Sequence, residues 1–216
     1  MARSSSGKPS VVLILLCIAV LHCHAQQISR LKRGDLLFHV AQSHNAITRV
    51  TPGMIDHVAV YLGHSQVIQA VSRGVVVTPL DSLRRQAGHY LVGRVRNLDR
   101  KASLTNARTF LGRHYDYLYL PDNADIYCSE LVQKSFVDNH GQPIFTTIPM
   151  SFHDDTGQIT DFWIKFYAKY NMSVPEGQPG TNPGEMSRHP SVKILGQLKI
   201  LNLDKNIKKL RFSHSY

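Results

Sequence analysis

Between residues 35 and 96 the chain breaks into five short runs rich in Val, Leu, Ile and Tyr, and this segmentation restricts the fold more than any other feature. The runs are 35–40, 57–62, 66–71, 74–78 and 90–96, separated by Gly, Pro, Asn, Asp and Ser. β-Branched and aromatic side chains suit a pleated, half-buried surface, and Gly and Pro punctuate it, so the pattern predicts five strands. Their spacing suits an antiparallel meander. The polar stretch 41–56, with Pro52-Gly53, reads as a loop beside a functional site.

Past residue 96 the period lengthens to that of a helix. One helix is predicted over 102–111, and another where Cys128, Leu131, Val132, Ser135 and Phe136 form an i, i+3, i+4, i+7, i+8 stripe. A third covers 159–170, with Phe162, Trp163, Phe166 and Tyr170 assigned to the core. Residues 175–190, rich in Pro and Gly, read as loop, and 192–195 as a last strand. No internal repeat is present. The sum is an α+β domain in which a small antiparallel sheet or open barrel packs against helices.

The helix beginning near Cys128 carries the chemistry. Asn123 and Asp125 are candidate N-caps, and Glu130 adds a carboxylate to the first turn. A thiol near unpaired backbone N–H groups is expected to have a lowered pKa, and the thiolate is the nucleophilic form. The same N–H groups can hold an oxyanion, which makes Tyr127 and Ser129 its neighbours and the substrate's. A cysteine on an apolar stripe is also often a small core residue, so its setting in the whole chain matters.

Residues 1–25 read as a signal peptide. Arg3 and Lys8 precede an apolar run from Val11 to Leu21, too short to span a bilayer, and Cys23-His24-Ala25 offers a small-x-small cleavage site. A domain over 26–216 remains, long enough for one sizeable core. Cys17 and Cys23 leave with the segment, so Cys128 becomes a solitary thiol in an oxidising compartment, secreted or periplasmic. The whole chain's net charge of +10 falls only to +8, since the segment holds two cations and no acid. Such a surface attracts anionic cell-wall polymers or lipid. Lys199, Lys205, Lys208, Lys209 and Arg211 form a basic C-terminal tail. No interleaving of aromatic and basic residues suggests nucleic acid, and no ligand spacing suggests a metal or other cofactor.

A thiol nucleophile needs an imidazole, and the imidazole needs an orienting group. Ten histidines follow residue 25. His57 opens a predicted strand and so stands at the rim of the sheet. His39, His44, His64, His89, His114, His140 and His153 are assigned to loops or surface. A three-residue hairpin loop at 63–65 would pair Leu62 with Gln66 and set Gln69 diagonal to His57 on one face. A two-residue loop would send Gln69 to the other face.

Four blocks, in this order, resemble the YiiX/YaeF-like family of permuted papain-fold amidases within the NlpC-type cysteine peptidase superfamily. They are Arg33-Gly34-Asp35-Leu36-Leu37-Phe38, Asp56-His57-Val58-Ala59-Val60-Tyr61, Val67-Ile68-Gln69-Ala70 and Ile126-Tyr127-Cys128-Ser129-Glu130-Leu131-Val132. The likeness runs from about residue 33 to 191 and includes Pro179-Gly180-Thr181-Asn182-Pro183-Gly184. It implies a circularly permuted papain-like fold, with Cys128 as nucleophile, His57 as general base and Gln69 as orienting group. Tyr127 matches a tyrosine that relatives carry beside the site. Similar sequences often have glutamate where this chain has Gln69; a neutral amide fixes the tautomer but stabilises imidazolium less.

The implied reaction is acyl transfer through a thioester, most readily on cell-wall peptide amides. The alternatives are a lipid N-acyl amide or ester substrate, with the aromatic run Tyr115 to Tyr119 lining an acyl slot, or a binding module that keeps the fold without the chemistry.

Overall fold

In the computed structural model the described residues are 31–198 apart from Asp122. The expected signal peptide and basic tail lie outside them. The first five strands are β1 (Leu36–Ala41), β2 (Ile55–Gly63), β3 (Gln66–Val71), β4 (Gly74–Pro79) and β5 (Gly88–Val95). Helices α1 (Arg100–Thr109) and α2 (Cys128–Ser135) follow. The short strand β6 (Ile148–Pro149), helix α3 (Asp161–Ala168), strand β7 (Pro179–Gly180), helix α4 (Pro183–Arg188) and strand β8 (Val192–Gln197) complete the order.

The main sheet is open and antiparallel, with order β4-β3-β2-β1-β5-β8, and β6 pairs with β7 alone. The simple meander therefore ends at β4. Residues Leu36, Leu37 and Phe38 explain the change: all three are fully buried, so successive side chains on both faces of β1 need cover. A strand of that kind belongs in the interior of a sheet, and β5 takes its second edge. Asp35, also buried, fixes this pairing by accepting from Arg94 Nε at 2.8 Å and Nη2 at 2.7 Å.

The β2–β3 hairpin settles the register on which the site depends. Its turn has two residues, His64 and Ser65, both with positive φ of 50° and 54°. That loop alone would put Gln69 on the wrong face. A bulge between Tyr61 and Gly63 supplies the extra residue, so Val60 still pairs with Ile68 and Tyr61 with Val67. The expected register holds, by a different device.

Residues 175–190 are not the continuous loop expected from composition. Asn182 Oδ1 accepts from Glu185 N–H at 2.7 Å and Pro183 fills the first helical position, which starts α4. Helix α2 packs on β2, β3 and α1, with Cys128, Leu131, Val132 and Phe136 in the same core as Phe38, Val58, Val60 and Ile68. No helix among the described residues is long and apolar enough to cross a membrane.

Candidate active site

Cys128 is the first residue of α2, and its thiol is 4% exposed and unpaired with any other cysteine among the described residues. The N-cap is Tyr127, whose N–H donates to Glu130 at 3.4 Å, rather than Asn123 or Asp125. Those two serve the preceding loop: Asn123 donates to the buried Asp116 carboxylate at 3.0 Å and accepts from Asp125 N–H at 2.9 Å.

The expected depression of the thiol pKa is reversed. Burial pushes it up to about 11, against hydrogen bonding from the backbone N–H groups of Val58, Ser129 and Cys128, and the Asp56 carboxylate adds to the rise. Removing a sulfur anion from water outweighs three N–H dipoles here. The resting form is the thiol.

His57 and Gln69 meet as the register requires. His57 Nε2 lies 2.8 Å from Gln69 Oε1, and the Gln69 amide donates to Thr78 Oγ1 on β4 at 2.8 Å. With Oε1 as acceptor, Nε2 carries the proton and Nδ1 holds the free lone pair. Burial holds the His57 pKa below the usual histidine value, while the Gln69 bond and Asp56 oppose the drop. That shift favours the uncharged ring. No hydrogen bond joins His57 to Cys128 Sγ; the sulfur faces the backbone N–H of Val58, the next residue along β2.

A polar cluster beside this pair escaped the sequence. His39 lies on β1 and is 6% exposed, contrary to its assignment as a loop or surface residue. Its Nδ1 donates to Asp56 Oδ1 at 2.6 Å, and Nε2 sits 3.2 Å from Ala87 O. Asp56 is the bulged residue of β2 opposite the step from His39 to Val40, and Asn45 Nδ2 binds its other oxygen at 2.7 Å. Burial raises its pKa, yet these two bonds hold the carboxyl below its usual range. A bulge re-aims one side chain without any change in composition, so the strand pattern gave no sign of it.

Cys128 opens on a slot of about 40 Å³, walled by Ile47, Val50, Tyr119, Met150, Phe152 and Trp163, with Tyr127, Ser129 and Asp56 also in its lining. Ile47 and Val50 come from the 41–56 stretch, which does lie beside the site. Tyr119, at φ 51°, sets its ring edge-on to Tyr127 and Trp163. Tyr115 lines the slot as well, whereas Tyr117, between the two, is exposed and outside the lining. Trp163 is 2% exposed, and so both a core residue, as expected, and part of the wall; its Nε1 has no hydrogen-bond partner. Tyr127 Oη accepts from Thr181 N–H at 2.9 Å, and Thr181 Oγ1 binds Ser129 Oγ at 3.0 Å. These bonds fasten the 179–184 segment to the cysteine helix. His57 and Gln69 lie on the sheet beside Val58, outside the slot lining.

Residues 30–196 match the family described as "Permuted papain-like amidase enzyme, YaeF/YiiX, C92 family". The match takes in most of the chain, and the chain belongs to that family. A crystal structure of metalloprotein yiiX from Escherichia coli O157:H7 is similar at 22% identity, with a TM-score of 0.64 over 77% of this chain and 97% of that one. That likeness concerns the fold; the family's description makes the sheet and helices here a permuted papain-like arrangement. No curated protein matches. Among the described residues no three His, Cys, Asp or Glu side chains converge as a group of metal ligands.

Proposed function

We propose that this chain is a cysteine amidase in which Cys128 attacks the substrate carbonyl, His57 takes the thiol proton and Gln69 orients the ring. The observation that carries the reading is the His57–Gln69 bond on a strand whose next amide faces the helix-start sulfur. Since thiol and imidazole both rest neutral, proton transfer accompanies attack, in place of a standing thiolate–imidazolium pair. The N–H groups of Cys128 and Ser129 stabilise the oxyanion. His57 returns the proton to the leaving amine, the C–N bond breaks, and water delivered by His57 hydrolyses the thioester. The leader-like residues 1–25 and the basic charge support an exported enzyme, secreted or periplasmic, acting on cell-wall peptide amides.

The test is mass spectrometry of the chain incubated with muropeptides and with N-acyl amino acids. Wild type is expected to gain an acyl mass on Cys128 and release a new amine from one class only, and Cys128→Ala to do neither. A second reading, a binding module without chemistry, is favoured by the raised thiol pKa; absence of any acyl adduct would establish it.

Gln69→Glu reports on the orienting group. A carboxylate 2.8 Å from Nε2 favours imidazolium, so the His57 pKa rises and the acid limb of kcat/KM moves to higher pH, by about one to two units. A pH–rate profile and the His57 NMR titration should move together. An unmoved limb would remove His57 from the rate law.

A further inference from the structure

We infer that the slot beside Cys128 is a subsite for a short, uncharged, apolar acyl group, and that it rejects acyl groups bearing a carboxylate. The inference rests on the proposed thiol chemistry only in naming the occupant an acyl group. Its side walls, Ile47, Val50, Met150, Phe152 and Trp163, offer hydrocarbon and ring surface. No Lys, Arg or His lines it. The single ionised group in the lining is Asp56, whose two oxygens already bind His39 and Asn45. A substrate carboxylate placed there would meet a second carboxylate with no cation in the lining between them, and the donors the lining does offer, the unpartnered Trp163 Nε1 and the neutral hydroxyls, carry no charge to offset that repulsion. An apolar group only displaces solvent from apolar walls.

Size sets the other limit. A cavity of about 40 Å³ has room for roughly three water-sized groups, which is the length of a butanoyl to pentanoyl chain or a small aliphatic side chain. Within cell-wall peptides this selects bonds that follow a small neutral residue over bonds made by a glutamyl side chain. A long lipid acyl chain exceeds it. Trp163 forms part of the slot's wall, its ring held edge-on by Phe152 and Tyr119 at 5.1 Å and 5.9 Å.

Trp163 is the chain's sole tryptophan, so occupancy can be read without turnover. Pentanamide, succinamate and octanamide are titrated into the Cys128→Ala chain while its fluorescence is followed. Pentanamide and succinamate are matched in length and differ by one terminal carboxylate. Pentanamide is expected to give a saturable change at least tenfold tighter than succinamate, and octanamide no gain over pentanamide. Val50→Phe, which fills the slot, should weaken pentanamide about tenfold, and Val50→Ala should let octanamide overtake it. Succinamate binding equally well, no saturable change with any amide, or Val50 variants without effect would each overturn the subsite. The acyl-adduct experiment on wild type fails separately: a pentanamide signal without any adduct removes the chemistry and keeps the subsite, and an adduct without the signal does the reverse.

Discussion

Replacement of His57 by alanine is expected to lower kcat/KM for amide hydrolysis at pH 7 about 10⁴-fold, roughly 5.4 kcal/mol of transition-state stabilisation. The figure follows from the sulfur. With its pKa pushed up to about 11 by burial, an unassisted thiol is ionised to about one part in 10⁴ at pH 7. A neutral imidazole that accepts the proton during attack removes that penalty, and without it the reaction waits for the rare thiolate. The variant therefore has a recognisable pH signature: its residual rate should climb about tenfold per pH unit from 7 toward 11. Wild type should be flat over the lower part of that range. Its acid limb lies below the ordinary histidine value of about 6.5, because burial depresses the folded pKa and the base form survives to lower pH. Rates of both proteins from pH 5 to 10 test the two slopes. A loss below tenfold, or a variant with a flat profile, would assign the proton transfer to another group.

How much of this site could be read from the chain depends on whether a residue's place is set by period or by exception. The apolar stripe from Cys128 to Phe136 placed α2, since the helix starts at Cys128 and the stripe is buried, together with Ser129 and Glu130, which the stripe does not include. The β2–β3 pairing placed Gln69 against His57, because side-chain alternation fixes faces once a register is chosen. The exceptions were out of reach. Two bulges in β2, at Asp56 and near Leu62, re-aim one carboxylate and correct a two-residue turn, and neither changes the hydrophobic pattern. Burial of the sulfur also depends on segments distant in sequence: Val50, Met150 and Thr181 all line the slot on which Cys128 opens. A local reading sees the helix start and its N–H groups, which lower a thiol pKa; it cannot see the enclosure that raises it further. Residues 175–190 failed for another reason. Composition pointed to loop, whereas the order Asn182-Pro183-Gly184-Glu185 is a helix start, with cap, Pro at the first position and an acid in the first turn.

Gly184→Ala should show which of two opposed effects governs that segment. On helix propensity alone, alanine in place of glycine within α4 would stabilise the fold by up to about 1 kcal/mol. Packing predicts the opposite sign. A Cβ at this position would lie 2.5 Å from Pro52 O, 2.8 Å from Pro52 Cδ and 2.9 Å from Pro52 N. These are backbone and ring atoms, with no side-chain rotation able to move them aside, so helix and loop must separate. Overpacking of this kind costs about 3 kcal/mol, and in a domain of this size the melting temperature should fall by about 6–12 °C. Gly141→Ala supplies the control, because a Cβ there meets nothing within 4 Å and its cost comes only from φ at +76°. That change should cost about 1 kcal/mol. The larger loss at Gly184 should also reach the chemistry. Displacing α4 pulls on Asn182 and Thr181, and Thr181 N–H is the donor that holds Tyr127 Oη beside Cys128. Acyl transfer measured well below the new melting temperature should then fall in Gly184→Ala and stay unchanged in Gly141→Ala. Equal melting temperatures for the two variants would mean that the Pro52 contact is soft, and that the segment is held to the site by its hydrogen bonds rather than by the close approach of its glycine.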